Sequence, residues 1–160
     1  MSIRVGIGQD SHRFDLENPD RVLKLAGIEI EGEPGLSGNS DADVVLHAVT
    51  NAVSGVTGVN ILGERSDYLC QKGITDSAAY LKDALRFLRK GRVLHVSVSI
   101  EAQKPKLAPY TDRMKKRLAE LLGISPNQVG LTATSGEGLT AFGRGEGIQV
   151  IAVLTAELED

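Results

Sequence analysis

The chain is poor in the residue types that usually announce a chemistry. One cysteine, Cys70, stands among 160 residues, which excludes an intrachain disulfide and a zinc cluster built from cysteines. Tryptophan is absent and aromatic residues make up 4%, so the core must be assembled from Val, Ile, Leu and Ala. No apolar run approaches the roughly 20 residues of a membrane span. No signal-peptide pattern stands before "IRVGIG". The formal net charge of -3 argues against non-specific nucleic-acid binding. What remains is a soluble, cytoplasmic protein, or a plastid-like stromal one if a transit peptide has been removed. With 41% hydrophobic and 24% charged residues, residues 1–160 suit a single domain with its own core.

Histidine is scarce too, with three in the chain, and the place of one of them is informative. In "VGIGQDSHRF", Ile3, Val5 and Ile7 alternate with Arg4, Gly6 and Gly8, the period of a strand. Residues two apart on a strand share a face. Asp10 and His12 therefore point the same way and offer two of the three protein ligands of a zinc site with an open position. The segment "SDADVVLHAVTNAVSGVTG" carries Val45, Val49, Ala52, Val53 and Val56 at helical spacing. Asp43, His47, Thr50, Asn51 and Ser54 form the opposite, polar stripe. Ser40 followed by Asp43 predicts the helix start. His47 is the candidate third ligand, with Asp43 one turn earlier to orient its ring. Spacing alone leaves the other reading open, a polar histidine on a helix. His95, among serines on a strand face, reads as structural.

The remaining pattern is mixed. "RVLKLAGIEIEG" predicts a hairpin turning at Ala26-Gly27. Helices are expected over 76–90 and 111–122, the second stopped by Gly123. "RVLHVSVSIEAQ" predicts a strand with Leu94, Val96, Val98 and Ile100 on one side. Further strands are expected near 130–135 and 147–158. The expected fold class is α+β, a mixed β-sheet with helices layered on one face. The last strand is apolar on both faces, so either helices cover both or the second face meets another subunit.

Three segments have functional and ordinary readings alike. A helix start at Ser40 offers free N–H groups to a phosphate, or it is simply a cap. "TATSGEG" can hold phosphate oxygens, with Glu137 on a second cation, or it is a solvated loop. "AQKPKLAPY" is a proline-bracketed loop able to present backbone groups to a planar base.

Taken in order, "GIGQDSHRF", "GLSGNSDADVVLHAVTNA", "AQKPKLAP" and "TATSGEGLTAFGRGEGI" make the chain resemble, over nearly its whole length, the 2-C-methyl-D-erythritol 2,4-cyclodiphosphate synthase family of the non-mevalonate isoprenoid pathway. The resemblance implies one Zn²⁺ per chain on Asp10, His12 and His47. It implies a phosphate contact at Ser40 and a cytosine loop containing Ala102, Pro105, Lys106 and Leu107. Thr134 and Ser135 would meet the nucleotide diphosphate, and Glu137 would help place Mg²⁺ or Mn²⁺. Arg144 and Glu146 would lie near the axis of a homotrimer whose active sites sit between subunits and whose axial cavity holds an isoprenoid diphosphate. The implied reaction is a cyclising, CMP-releasing phosphorus–oxygen lyase reaction on a cytidine diphosphate substrate, with no protein nucleophile. A zinc-dependent phosphohydrolase and a non-catalytic isoprenoid-diphosphate binder are the competing classes. Three positions depart from the family pattern. Asn39 stands where a phosphate-contacting histidine is usual, and Asn51 where an aspartate is usual. Within "VNILGERSD", Asn60 stands for the first acid of the segment that holds the erythritol hydroxyls, and Asp67 keeps the last.

Overall fold

A computed structural model describes residues 1–159. Its elements in chain order are β1 (Ser2–Arg13), β2 (Leu23–Leu25), β3 (Ile28–Ile30), α1 (Val44–Thr57), α2 (Glu64–Gln71), α3 (Ser77–Leu85), β4 (Arg92–Glu101), α4 (Thr111–Leu122), β5 (Val129–Thr134) and β6 (Gly147–Leu158). Four strands form one sheet in the order β1-β6-β4-β5, and β2 pairs with β3 as a separate hairpin. β6 runs antiparallel to both β1 and β4, whereas β4 and β5 are parallel. The sheet is therefore mixed, as expected, in a single α+β domain. No helix among the described residues is long and apolar enough to cross a membrane.

β1 inverts the usual pattern of a half-buried strand. Its apolar Ile3, Val5 and Ile7 are 58%, 62% and 68% exposed, while Gly6 and Gly8 are buried. The cause is how closely α1 approaches. A Cβ on Gly6 would fall 2.0 Å from the Ala52 carbonyl oxygen, and one on Gly8 2.0 Å from that of Ala48. Only glycine admits backbone so near. β6 alternates in the ordinary way, with Ile148, Val150, Ala152 and Leu154 fully buried and Ile151 and Val153 partly exposed. The inner faces of β1 and β6 meet α1, and α4 continues the helical layer at β5. The other face of the sheet, bearing Ile3, Val5, Ile7, Ile151 and Val153, is left open in one chain.

Several local expectations need correction. α1 begins at Val44 and its cap is Asp43, not Ser40. The Asp43 carboxylate is fully buried and accepts N–H bonds from Leu46 at 3.0 Å, Ala26 at 2.9 Å and Gly27 at 2.6 Å. It thus caps α1 and ties the β2–β3 turn to it, in place of the ring-orienting role expected from its spacing. Burial pushes its carboxyl up, to about 6, against those three donors. That turn runs through Ala26 and Gly27, both at positive φ, as the sequence suggested. The 76–90 segment is a helix only to Leu85, followed by a 3-10 turn over 86–88. In β4 the register slips between Val93 and His95, a bulge that buries Val93 and leaves Leu94 only half-buried. α2 is an element the sequence did not suggest. Its one buried residue is Ser66, so it carries no apolar stripe.

The β1–α1 approach yields a stability prediction. Gly8→Ala sets a methyl against backbone that cannot rotate away, so α1 must shift. The loss is expected to be at least about 2 kcal/mol, the upper range for overpacking, read as a lower urea midpoint at unchanged slope.

Candidate metal centre and pocket

α1's approach determines what its first turns face. Asp10 and His12 lie on the same side of β1 as Gly6 and Gly8, so they point at α1 where His47 emerges. Asp10 Oδ2 lies 2.9 Å from His12 Nε2 and 3.0 Å from His47 Nδ1. The two ring nitrogens are 3.4 Å apart. One donor atom from each of the three side chains lies within 4.8 Å of the other two.

The other ring nitrogen of His12, Nδ1, is 2.8 Å from the Ser37 carbonyl oxygen. A carbonyl only accepts, so Nδ1 carries a proton, and in the neutral ring Nε2 turns a lone pair toward Asp10. A nitrogen 2.9 Å from a carboxylate oxygen is held by a positive charge between them, a second ring proton or a metal ion. The electrostatics carry the same message. Burial pushes the Asp10 carboxyl up, but hydrogen bonds and charge from His12 and His47 outweigh it and hold it at about 2. The Asp10 hydrogen bond raises His12 against the effect of its own burial. One carboxylate and two imidazoles fit a divalent cation that favours nitrogen and oxygen donors and keeps a position open.

The three side chains line a pocket of about 400 Å³ together with Asn39, Ser40, Asn51, Asp67, Cys70 and Tyr80. The Asn39–Ser40 loop is held from behind: Arg21 Nη2 donates to the Gly38 and Ser40 carbonyls at 2.7 and 2.6 Å. Cys70 Sγ donates to the Asn39 carbonyl at 3.1 Å. Asn51 Nδ2 donates to the Gln9 carbonyl at 3.2 Å. α2 brings Asp67 to the pocket wall. Asn60 does not line this pocket and borders a neighbouring hollow with Leu62 and Arg65. Burial pushes the Tyr80 phenol up to about 12, and its hydroxyl donates to the Ile74 carbonyl at 2.5 Å.

Sequence reasoning missed Arg21, Ser77 and Tyr80. None lies at a motif spacing, and only the fold brings them to this region. Ser77 is the residue His47 meets on its far side, with Oγ 2.8 Å from Nε2.

The remaining sequence candidates gather elsewhere. Ala102, Pro105, Lys106, Leu107, Thr134, Ser135, Glu137 and Arg144 do not line the pocket of their own chain. The Ala102 N–H donates to the Thr134 carbonyl at 3.0 Å, so the ends of β4 and β5 hold these two loops side by side. Ala102 and Leu107 are buried, Lys106 is exposed, and the Lys104–Pro105 peptide is cis. Ser135 Oγ is 3.3 Å from Glu137 Oε1, and Arg144 Nε is 3.1 Å from Glu146 Oε2. Thr134, Ser135, Glu137, Arg144 and Glu146 are all exposed.

A family model for the YgbB family matches residues 3–157. The 2-C-methyl-D-erythritol 2,4-cyclodiphosphate synthase of Chlamydia trachomatis serovar L2b is 51% identical over 154 residues, which cover 95% of this chain and 86% of that protein. The chain belongs to the 2-C-methyl-D-erythritol 2,4-cyclodiphosphate synthase family. Solved structures agree with that membership. The bifunctional IspDF from Campylobacter jejuni is similar at TM-score 0.88 and 30% identity, over 99% of this chain and 43% of that one. A 2C-methyl-D-erythritol-2,4-cyclodiphosphate synthase in a CDP-bound form is similar at TM-score 0.80 and 27% identity, over 96% of this chain and all of that one.

The pKa directions at the centre predict how metal-free protein responds to pH. Asp10, depressed to about 2, contributes stability that is full above its unfolded value near 4 and lost as pH falls toward 2. His12, raised, contributes below its unfolded value of about 6.5 and loses that contribution as pH climbs through its folded value. Protein in EDTA should therefore lose melting temperature as pH falls below about 4 and again as it rises past about 6.5, the alkaline loss reinforced by Asp43, whose raised carboxyl ionises at about 6. Added divalent cation should recover the loss on the alkaline side, where it replaces the proton. Melting curves that run parallel with and without EDTA from pH 6 to 8 would contradict this.

Proposed function

We propose that the chain cyclises 4-diphosphocytidyl-2-C-methyl-D-erythritol 2-phosphate to the 2,4-cyclodiphosphate with release of CMP. The observation that carries the reading is the convergence of Asp10, His12 and His47 in the wall of a polar pocket in a chain of this family. A 2-phosphate oxygen attacks the β-phosphorus as the bond to the CMP oxygen breaks, so the reaction is a phosphorus–oxygen lyase step with no protein nucleophile and no redox change. Zn²⁺ on Asp10, His12 and His47, with Mg²⁺ or Mn²⁺ near Glu137, would supply positive charge to the phosphate oxygens. The protein's own part is positioning. Ser40 and Asn39 donate to the phosphate from a loop clamped by Arg21, and Asp67 takes the erythritol hydroxyls. Ala102, Pro105, Lys106 and Leu107 hold the cytosine, and Thr134 and Ser135 hold the diphosphate.

The second group of residues would serve the pocket of a neighbouring subunit in a homotrimer, since it does not line the pocket of its own chain. The exposed apolar residues of β1 and β6 support assembly through the open sheet face. Arg144 would then lie near the threefold axis, beside a cavity able to take an isoprenoid diphosphate. The setting we assign is the cytoplasm.

Purified protein incubated with the substrate should give CMP and a cyclic diphosphate by ³¹P NMR. An acyclic phosphate product would instead indicate hydrolysis. His47→Ala should lose the metal and slow turnover by about a thousandfold or more, as loss of several kcal/mol of charge stabilisation requires. Asn39→His should change turnover by less than about a hundredfold, because a neutral and a charge-assisted hydrogen bond differ by on the order of 1 kcal/mol. Sedimentation should give three times the chain mass of 17.0 kDa. A stable monomer at micromolar concentration would defeat the shared-site reading.

A further inference from the structure

His47 is the one member of the trio whose outer ring nitrogen meets no carbonyl. Its Nδ1 faces Asp10 and His12, and its Nε2 lies 2.8 Å from Ser77 Oγ. Ser77 is the first residue of α3 and is fully buried. Its hydroxyl donates to Asp41 Oδ1, while its backbone N–H donates to the other oxygen, Oδ2, at 3.1 Å. Asp41 also accepts the Asp43 N–H at 3.2 Å and meets Lys24 Nζ at 3.4 Å.

The proton count along this line settles the Ser77 side of the ring. An ionised carboxylate only accepts, so the single hydroxyl proton of Ser77 goes to Asp41. Ser77 Oγ then has only lone pairs left for His47, so His47 Nε2 must carry the ring proton. A neutral ring then keeps its Nδ1 lone pair for a cation in the space that Asp10 Oδ2 and His12 Nε2 share; without a metal the Asp10 carboxylate, 3.0 Å away, competes for a proton at Nδ1.

We infer that Ser77 and Asp41 are positioning residues which fix His47 in the Nε2–H tautomer and so pre-set its Nδ1 as a metal donor. The inference rests on the metal reading given above. The centre then uses opposite ring nitrogens of its two histidines, each set by a different device: the Ser37 carbonyl for His12, and a Ser77–Asp41 relay for His47. Partners of this kind orient a ligand ring and strengthen its donor atom, and their loss typically weakens binding by about 10–100-fold.

The test has a readout that does not depend on turnover. In Zn²⁺-loaded protein, ¹⁵N NMR of the His47 ring should show protonated Nε2 and a metal-bound Nδ1 in the wild type. Ser77→Ala should give a mixture of tautomers. Asp41→Asn should do the same, because an amide N–H can donate to Ser77 and release its hydroxyl proton toward His47. Chelator competition with Zn²⁺ should show each variant binding about 10–100-fold more weakly. The double variant should be no weaker than the worse single one, since both act through one relay. Ser40 Oγ is 3.4 Å from the same nitrogen, and Ser40→Ala should leave the tautomer unchanged. If the wild type binds Zn²⁺ tightly and Ser77→Ala binds it equally well with the tautomer intact, the relay has no such role. A tautomer change in Ser40→Ala alone would overturn it equally. A wild type that takes up no divalent ion overturns the metal reading, and this inference with it.

Discussion

The distance between α1 and β1 governs the rest of the molecule. Gly6 and Gly8 remove the strand's own side-chain atoms from the contact, and the helix settles onto bare backbone, with carbonyl oxygens of Ala48 and Ala52 where methyl groups would otherwise stand. Two results follow from this one constraint. His47 reaches the end of β1, where Asp10 and His12 already face the helix. And β1, with nothing apolar to bury inward, carries Ile3, Val5 and Ile7 on its outer face. The charged end and the exposed apolar face of the chain are thus set by the same twelve residues.

A close approach brings acceptors together as readily as it brings donors. Around the trio, the surrounding polar groups sort the protons so that lone pairs point inward. Ser37 claims the proton of His12, and Asp43, which the helical stripe offered as a neighbour for His47, is engaged with three N–H groups and unavailable to the ring. The same acidic loop therefore divides its work. Asp43 holds the helix end and the β2–β3 turn, and Asp41 lies on the line to His47. Arg21 closes the arrangement by gripping the Gly38 and Ser40 carbonyls just before them, so the pocket-lining residues Asn39 and Ser40 are presented from a braced backbone.

Much of this was legible in the sequence, and the gaps have physical causes. Elements with a full apolar stripe, such as α1, α4 and β6, declare themselves by period, and Asp10, His12 and His47 fall on faces that period predicts. α2 did not, because a helix that buries only Ser66 has no stripe to read. The helix cap was misplaced by three residues because Ser40 and Asp43 are both good caps. What decides between them is the distant turn at Ala26 and Gly27, which needs an acceptor. Leu94 was assigned to the wrong side because a bulge changes the period locally. Ser77 and Arg21 were invisible for another reason. Their importance lies in which carbonyl or ring the fold sets before them, and no spacing encodes that.

The pairing of β1 has a consequence for the order in which the molecule comes together. Its sheet partner is β6, with Ser2 opposite Leu158 and Arg13 opposite Gly147, so that ladder closes nearly the entire chain. Its helical partner closes far less, for Asp10 and His47 are 37 residues apart. Closure entropy rises with loop length, and non-local pairing slows folding. The β1–α1 contact is therefore the less costly of the two for β1 to make first. Since that contact contains Asp10, His12 and His47, which are able to hold a metal ion together, an ion arriving during folding would act as a clasp on the early partner and hold β1 in place until the far end of the chain arrives to complete the sheet.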